Sequence, residues 1–255
     1  MRLTVGSWNI GGGVLGASHQ RNASSNLDYY AKFLSDFSPD ILCVQEAHSF
    51  GDSRVGQVLL LADLAGYEHS VEASVSPSHI DDNALFSLGV LSRFPIEDSR
   101  YEQFPRFEMS SEGPDGHRWS IHDKGFLIAS LKVDNTPLAV VNAHCFPFHY
   151  FQVSSVDERV AGVWRALDAA LCNTAIEAAT VACIDLNCAN LDALLPRALG
   201  ESGFRSAIND TPTTPKGLQQ DFLLFDGNFR LTDSGATETE SDHSYCEMTL
   251  EIARV

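Results

Sequence analysis

The sequence has few basic residues for its size. Seventeen Lys and Arg stand against thirty-four Asp and Glu among 255 residues, which gives a net charge of −17. Proteins that hold a nucleic-acid backbone without sequence preference draw most of their affinity from Lys and Arg contacts to phosphates. The composition therefore disfavours duplex DNA as a partner and argues against a general DNA-degrading enzyme.

Long apolar runs are also missing. No run approaches the ~20 residues that a bilayer-spanning helix requires. The first residues, Met1 to Val5, enter a strand pattern directly and show no signal-peptide pattern. We therefore expect a cytoplasmic protein. No linker, internal repeat or compositional break divides the chain, so we predict a single domain over residues 1–255.

Paired cysteine motifs are absent as well. Six cysteines occur, but none forms a C-x-x-C pair. A zinc site built from Cys145, Cys183, Cys188 and a histidine fits no ribbon or finger spacing. The cysteines are therefore expected to be buried, reduced thiols.

The apolar pattern predicts more strands than helices. The predicted strands cover residues 3–10, 41–45, 88–92, 125–133, 138–143, 180–186, 221–225 and 245–252. The predicted helices cover 26–37, 55–65, 156–171 and 191–199, and residues 72–84 and 104–122 are predicted as long loops. Helices that do not alternate one for one with strands argue against a TIM barrel or a simple doubly wound sheet. The pattern favours an α+β fold with two sheets packed face to face and helices outside.

Nearly every predicted strand ends in a carboxylate, an amide or an imidazole. Asn142 and His144 are two residues apart on a strand and so share a face, as do Asp185 and Asn187. Taken singly, such residues are turn formers or caps, but six polar strand ends in one chain favour a shared pocket. The residues concerned are Asn9, Glu46, Asn142, His144, Asp185, Asn187, Asp221, Asp242 and His243.

These residue types together indicate a particular chemistry. Carboxylate and amide oxygens suit Mg²⁺ or Mn²⁺ rather than zinc or copper. A histidine beside a carboxylate transfers protons near neutral pH. A charge-neutralising ion, an activated water and a proton donor for the leaving oxygen are what phosphate-ester hydrolysis requires.

At this point the sequence resembles the endonuclease/exonuclease/phosphatase superfamily. Seven blocks follow the family order along nearly the whole chain, each beside a predicted strand. They are Trp8-Asn9-Ile10, Gln45-Glu46, residues 91–95, Asn142-Ala143-His144, Asp185-Leu186-Asn187, residues 221–224 and Ser241-Asp242-His243. The resemblance implies a four-layer αββα sandwich of the deoxyribonuclease I type, in which two mixed sheets pack face to face.

The resemblance also implies roles for individual residues. Asn9 and Glu46 would bind the metal, Mg²⁺ or Mn²⁺, with Asp242 beside them. The same resemblance makes Asp185 and Asn187 a water-orienting and phosphate-binding pair.

A second group of roles concerns proton transfer and the substrate phosphate. By the resemblance, His243 held by Asp221 would polarise the water or the phosphate. Asn142 would bind a phosphate oxygen, and His144 would stand where a leaving-group acid stands. Which group acts as base and which as acid stays open.

Two further features keep alternatives open. Arg93 follows an apolar strand and either binds substrate phosphate, pairs with a site carboxylate or makes a structural ion pair. The segment from Cys145 to Phe151 carries four aromatic side chains and is either a substrate-facing wall that stacks a base or an apolar chain, or a hydrophobic plug. Lys124-Gly125, opening a strand, is similar to the strand start of sphingomyelinase-like members.

The function expected from these features is divalent-metal-dependent hydrolysis of phosphate esters, with a phosphodiester as first choice. The expected substrate is a small molecule or a single-stranded nucleic acid. Three alternatives stay open: a nuclease acting on DNA or RNA, a sphingomyelinase-like lipid phosphodiesterase, and a catalytically silent protein that binds a phosphorylated ligand. The oligomeric state is not indicated.

Overall fold

Fourteen strands and five α-helices are present among the residues that the structure describes. A computed structural model describes residues 2–16, 23–112 and 118–252. The strands are β1 (Arg2–Asn9), β2 (Ile41–Ser49), β3 (His69–Pro77), β4 (Leu85–Ser92), β5 (Ile96–Gln103), β6 (Ser110–Glu112), β7 (Arg118–Ser120), β8 (Gly125–Val133), β9 (Thr136–His144), β10 (Ala179–Asp185), β11 (Arg205–Ser206), β12 (Asp221–Phe225), β13 (Phe229–Thr237) and β14 (Tyr245–Ile252). The helices are α1 (Leu27–Phe37), α2 (Gln57–Ala65), α3 (Ala161–Glu177), α4 (Leu191–Leu194) and α5 (Pro196–Gly200).

Twelve of the strands form two mixed six-stranded sheets. The first sheet has the order β13-β14-β1-β2-β4-β3, and the second has the order β11-β12-β10-β9-β8-β5. Each sheet contains one central parallel pair, β1 with β2 and β9 with β10, among antiparallel neighbours. The short strands β6 and β7 pair with each other.

Three apolar layers hold these elements together. Val5 and Val140 belong to the layer between the two sheets. Trp8 and Tyr30 belong to the layer between the first sheet and α1 and α2. Leu167 of α3 belongs to the layer that covers the outer face of the second sheet. The four-layer αββα sandwich is thereby confirmed, and both inner sheet faces are buried.

Six of the described strands were not predicted. Three of them, β6, β7 and β11, have only two or three residues, and the other three are sheet edges. β3, β5 and β13 each have one neighbouring strand, and their side chains are mostly half-buried or exposed. Edge strands commonly carry charged side chains, which weakens the apolar alternation. The loop prediction for residues 72–84 is therefore wrong over the part that lies in β3, where Val71, Ala73 and Val75 alternate toward the core.

Other boundaries differ for local reasons. The predicted helix over 156–171 begins at Ala161 instead, after a 3₁₀ turn whose first N–H groups bond to Asp157. The predicted helix over 191–199 is two short helices, because Leu195 precedes Pro196 and cannot keep helical backbone angles. The predicted loop over 104–122 contains β6 and β7, while residues 113–117 lie outside the described residues.

Among the described residues, no helix combines the length and the apolar composition that crossing a bilayer requires. The single domain expected over residues 1–255 stays a prediction.

One buried amide ties the two sheets together close to the edge where the predicted site residues lie. Asn142 of β9 is fully buried and donates to the carbonyl oxygens of Val44, at 2.9 Å, and Gly89, at 2.8 Å, in the opposite sheet. Its own oxygen accepts from Nε2 of Gln45 at 2.8 Å. Val44 and Gly89 are the last regular pair before β2 and β4 change register. Asn142 therefore bonds carbonyl groups at the point where the ladder is interrupted.

We expect Asn142→Ala to lower the free energy of unfolding by about 3 kcal/mol, because it takes the Asn142 donor from two buried carbonyl groups and removes one of the two acceptors of the Gln45 amide, the other being the Ser7 hydroxyl. Urea denaturation would measure the loss. Asn209→Ala is the matched control, since Asn209 is exposed, and it should change stability by no more than about 0.5 kcal/mol. Equal stability of the two variants would contradict this role.

Candidate active site

The ends of both parallel strand pairs meet at one edge of the sandwich. Asn9 ends β1, Glu46 lies near the end of β2, His144 ends β9 and Asp185 ends β10. All four residues are at least nine-tenths buried. Parallel strands bring their carboxyl ends to the same side of a sheet, and the face-to-face packing places the two pairs opposite each other.

Antiparallel neighbours begin at this same edge. β12 runs antiparallel to β10, so its first residue, Asp221, stands directly opposite Asp185. β14 runs antiparallel to β1, and the residues that precede it, Asp242 and His243, enter the edge from the other sheet. The topology thus gathers residues that are more than 230 positions apart in the chain.

A β-bulge aims Glu46 into this site. Val44 and Ala47 both pack beneath the helices of the first sheet, although a regular strand would place residues three apart on opposite faces. The register between β2 and β4 shifts between these residues, and Glu46 has φ +55°. A non-glycine residue in the left-handed region is strained. The bulge brings the Glu46 carboxylate to 3.5 Å from Nε2 of His144.

Asp185 lies at the centre of the contacts. Its Oδ2 accepts from Nδ2 of Asn9 at 2.9 Å and lies 3.5 Å from Nε2 of His144. Burial raises the pKa of Asp185 to about 7, and the carboxylates of Asp221 and Glu46 add to that rise against the opposing effect of His243. A carboxylate with such a pKa can accept a proton near neutral pH.

His243 forms a dyad with Asp221. Its Nδ1 lies 2.9 Å from Oδ2 of Asp221, and its Nε2 faces Asp185 at 4.0 Å. Burial alone would lower the pKa of His243, but the carboxylates of Asp221 and Asp185 outweigh it and raise the pKa well above the ordinary value. The ring is therefore positively charged at neutral pH.

His144 has the opposite protonation state. Lys124 places its Nζ 3.0 Å from both ring nitrogens of His144 and 3.5 Å from Oε1 of Glu46. Burial, with the Lys124 ammonium beside it, holds the pKa of His144 well below the ordinary value. The two site histidines thus differ in charge, one neutral and one cationic.

Lys124 was not among the predicted site residues. It is 7% exposed and opens β8 beside Gly125, which pairs with His144 in the sheet. A side chain at Gly125 would collide with the Glu102 carbonyl oxygen, 2.4 Å from the position of its Cβ. The Lys124-Gly125 pair was the signal in the sequence that could have identified this site residue.

Asn187 is held in a tight turn after β10. Its backbone has φ +56°, a conformation that asparagine adopts more readily than most residues. Its N–H donates to Oδ1 of Asp185 at 3.0 Å, and its Nδ2 donates to the Cys145 carbonyl at 3.1 Å. Asn187 is therefore fixed beside Asp185, as the sequence pairing of the two residues predicts.

Two residues expected to bind substrate phosphate are not brought into the cluster. The amide of Asn142 hydrogen bonds between the two sheets, as described above. Arg93 follows the end of β4 that pairs with Ile41. At ~3.3 Å per residue, Ile41 lies about 16 Å from Glu46 along β2. The guanidinium of Arg93 donates to the Pro39 carbonyl and lies over the Tyr67 ring. A phosphate-binding role for either residue stays a prediction.

The donor set fits a hard divalent cation. The carboxylates at this edge are Glu46, Asp185, Asp221 and Asp242. Mutual repulsion among buried carboxylates, seen in the raised pKa of Asp185, is relieved by a bound cation. Ligand atoms of Asp185, Asp221 and His243 lie within 4.8 Å of one another, but His243 is already bonded to Asp221. Oxygen donors of this kind are typical of Mg²⁺ or Mn²⁺ sites.

Solved structures of similar fold share this architecture. An endonuclease/exonuclease/phosphatase from Beutenbergia cavernae matches with a TM-score of 0.72 and 16% identity over 98% of this chain and 72% of that one. The mannosyl-6-phosphatase of Bacteroides thetaiotaomicron matches with a TM-score of 0.62 and 13% identity over 98% and 100% of the two chains. ANGEL2, a 2′,3′-cyclic phosphatase solved with adenosine-2′,3′-vanadate, matches with a TM-score of 0.66 and 14% identity over 99% of this chain and 96% of that one.

Identities this low establish the fold and leave substrates open. A search of curated proteins found no match to the chain. The sequence model of the Endonuclease/Exonuclease/phosphatase family, in contrast, matches residues 6–243, a span that contains every predicted site residue. The chain therefore belongs to the endonuclease/exonuclease/phosphatase family of phosphoester hydrolases.

Proposed function

We propose that the protein is a divalent-metal-dependent phosphodiesterase that acts on a small or single-stranded phosphate ester. The observation that carries the proposal is the charged His243–Asp221 dyad, which faces Asp185 at 4.0 Å. A cationic donor and a carboxylate with a pKa of about 7 stand side by side in a water-poor edge of the fold. Phosphate-ester hydrolysis needs both groups in one place.

Asn9, Glu46 and Asp242 would hold the metal ion. When bound, the ion would neutralise charge on the phosphate and lower the pKa of a water molecule. Glu46 supplies a buried carboxylate, and Asp242 supplies a half-buried one next to His243. Asn9 additionally orients Asp185 through its amide donor.

Asp185 would accept the proton of the attacking water, and its bond from the N–H of Asn187 fixes the direction of its carboxylate. His243, protonated and held by Asp221, would stabilise the negative charge that develops on the phosphate. Neutral His144, kept uncharged by burial and Lys124, would contact the leaving side. Because His144 is uncharged in the free protein, Lys124 is the cation nearest to that side.

The expected substrate follows from charge and from relatives. A net charge of −17 disfavours duplex DNA. The relatives described above include a mannosyl-6-phosphatase and a 2′,3′-cyclic phosphatase, so both monoester and cyclic diester chemistry occur on this fold. A diester is our first choice and a monoester the second. The cytoplasmic location stays a prediction from the sequence.

We expect turnover of bis-p-nitrophenyl phosphate with Mg²⁺ or Mn²⁺, its loss in EDTA, and a slower rate with p-nitrophenyl phosphate. Asp185→Asn should reduce kcat by 10²-fold or more, about the effect of removing a proton-transfer group. Release of p-nitrophenolate measures each rate.

Asp226→Asn is the matched control for this variant. Asp226 is equally buried but follows the far end of β12, where it accepts from the N–H of Thr180. It should retain turnover. Full activity in EDTA would contradict the metal requirement. Faster hydrolysis of the monoester than of the diester would identify a phosphatase.

The pH dependence should show which groups transfer protons. We expect kcat/KM to rise through the pKa of Asp185, about 7, as the carboxylate becomes able to accept a proton, and to fall at alkaline pH when His243 loses its proton. Asp221→Asn removes a carboxylate that raises both pKa values. Both limbs of the profile should therefore move to lower pH. An alkaline limb that does not move would show that His243 is not the group whose deprotonation lowers kcat/KM.

A further inference from the structure

A cluster of aromatic and basic side chains borders the candidate active site. It consists of Trp119, His149, Tyr150 and Lys216, which we call the aromatic ledge. His149, Lys216 and Tyr150 are exposed, Tyr150 by 41%, and Trp119 is half-buried. Large aromatic side chains are usually buried, so an exposed group of them beside a pocket is a candidate recognition surface.

The rings of the ledge hold one another in place. Trp119 and Tyr150 meet edge to face with ring centroids 5.8 Å apart, and His149 lies 4.2 Å from Tyr150. Lys216 places its Nζ 3.4 Å from the Tyr150 hydroxyl and 5.7 Å from the centre of its ring. The ledge is therefore a set of mutually contacting rings with a cation at its margin.

Each member of the ledge lies on a segment that also supplies a site residue. β7, which carries Trp119, runs on to Lys124, and the loop with Lys216 runs on to Asp221. His149 and Tyr150 follow His144, and the His149 side chain hydrogen bonds to the backbone of Asn187. The ledge consequently flanks the site on the side of the second sheet.

The segment after His144 has two aromatic rings in the core and one at the surface. Phe146 and Phe148 are each 2% exposed, and Phe148 packs against Trp164 of α3. These two rings anchor the segment in the core. Tyr150, two residues further on, is turned outward on this fixed base, so little order has to be gained when a ligand stacks on it.

We propose that the aromatic ledge is a subsite for a nucleobase of the substrate, so that the ester hydrolysed is a nucleotide or a short single-stranded nucleic acid. The inference rests on the proposed function. Bases stack on aromatic side chains, and a neighbouring Lys attracts the phosphates that join them. A single basic residue at the margin suits a short strand rather than a duplex.

Two other ligands of aromatic surfaces fit less well. A choline-like headgroup is drawn to ring faces by its positive charge, and Lys216 beside Tyr150 repels it. A plain sugar phosphate can satisfy the site's phosphate contacts without covering rings that span Trp119 to His149. Both ligands are included as alternative outcomes of the test.

The test compares two diesters with the same leaving group, thymidine 5′-(p-nitrophenyl phosphate) and methyl p-nitrophenyl phosphate. We expect the protein to prefer the thymidine ester by about tenfold or more in kcat/KM, the scale of one stacked base. Tyr150→Leu should abolish most of that preference through a higher KM, while turnover of the methyl ester stays unchanged.

Matched variants separate the ledge from general effects. Phe37→Leu changes a partly exposed ring at the end of α1, on the outer face of the other sheet, and should keep the preference. Lys216→Gln should lower kcat/KM for the thymidine ester more than for the methyl ester. Lys132→Gln, at the far end of β8 from Lys124, should change kcat/KM for neither ester. Equal kcat/KM for the two esters in the unaltered protein would overturn the ledge and leave the hydrolase proposal standing.

If neither ester is hydrolysed, the proposed function is contradicted but the ledge is not. Binding measured by calorimetry then tests the ledge. The probes are adenosine 5′-monophosphate, adenosine 3′-monophosphate, ribose 5-phosphate, phosphocholine and hexathymidylate. The ledge is supported if either adenosine monophosphate binds more tightly than ribose 5-phosphate and this difference is lost in Tyr150→Leu. Comparing hexathymidylate with the monophosphates distinguishes a strand from a free nucleotide as the ligand. Equal binding of the adenosine and ribose compounds, or preferred binding of phosphocholine, overturns it.

Discussion

The hydrogen bonds from Asn142 to the carbonyl groups of Val44 and Gly89 join the two sheets just beneath the site. They do so where the ladder between β2 and β4 loses its register, so the bulge that turns Glu46 inward has its freed carbonyl groups bonded. Buried carbonyl groups without partners would favour a regular strand, in which Glu46 would point toward the helices. The direction of one carboxylate thus depends on an amide from the opposite sheet.

Burial acts on the pKa of both site histidines, and their neighbours decide the outcome. His144 and His243 are both nearly inaccessible, and burial lowers the pKa of each. Lys124 adds to that effect at His144, whereas Asp221 and Asp185 reverse it at His243. In a medium of low dielectric constant, nearby charges of opposite sign separate two identical side chains into a neutral and a cationic form.

Much of the site was accessible from the sequence because strand alternation and strand ends are local properties. The structure brings Asp185, Asn187 and His243 together at one edge, where this reasoning grouped them, and their catalytic roles stay predictions. Alternation also placed Asn142 on the correct face, but it could not show how deep between the sheets the residue lies. That depth depends on register across the sandwich, which no local pattern records.

The failures have similar physical causes. Arg93 follows an apolar strand as the site residues do, but β4 runs antiparallel to β2 and ends at the opposite side of the sheet. Strand direction, not polarity, decides which ends meet. Lys124 comes before its strand rather than after it, so a search for polar residues at strand ends does not find it. The edge strands were not predicted because their exposed charged residues interrupt the apolar pattern.

The pairing of β1 with β14 has a consequence for synthesis of the chain. These strands lie side by side in the first sheet, and the indole of Trp8 bonds to the carbonyl of His243, 235 residues away. β1 can pair only after a partner far along the chain has been made, and contacts of such separation form slowly. The edge that carries the site residues is therefore complete only once this long-range pairing has formed.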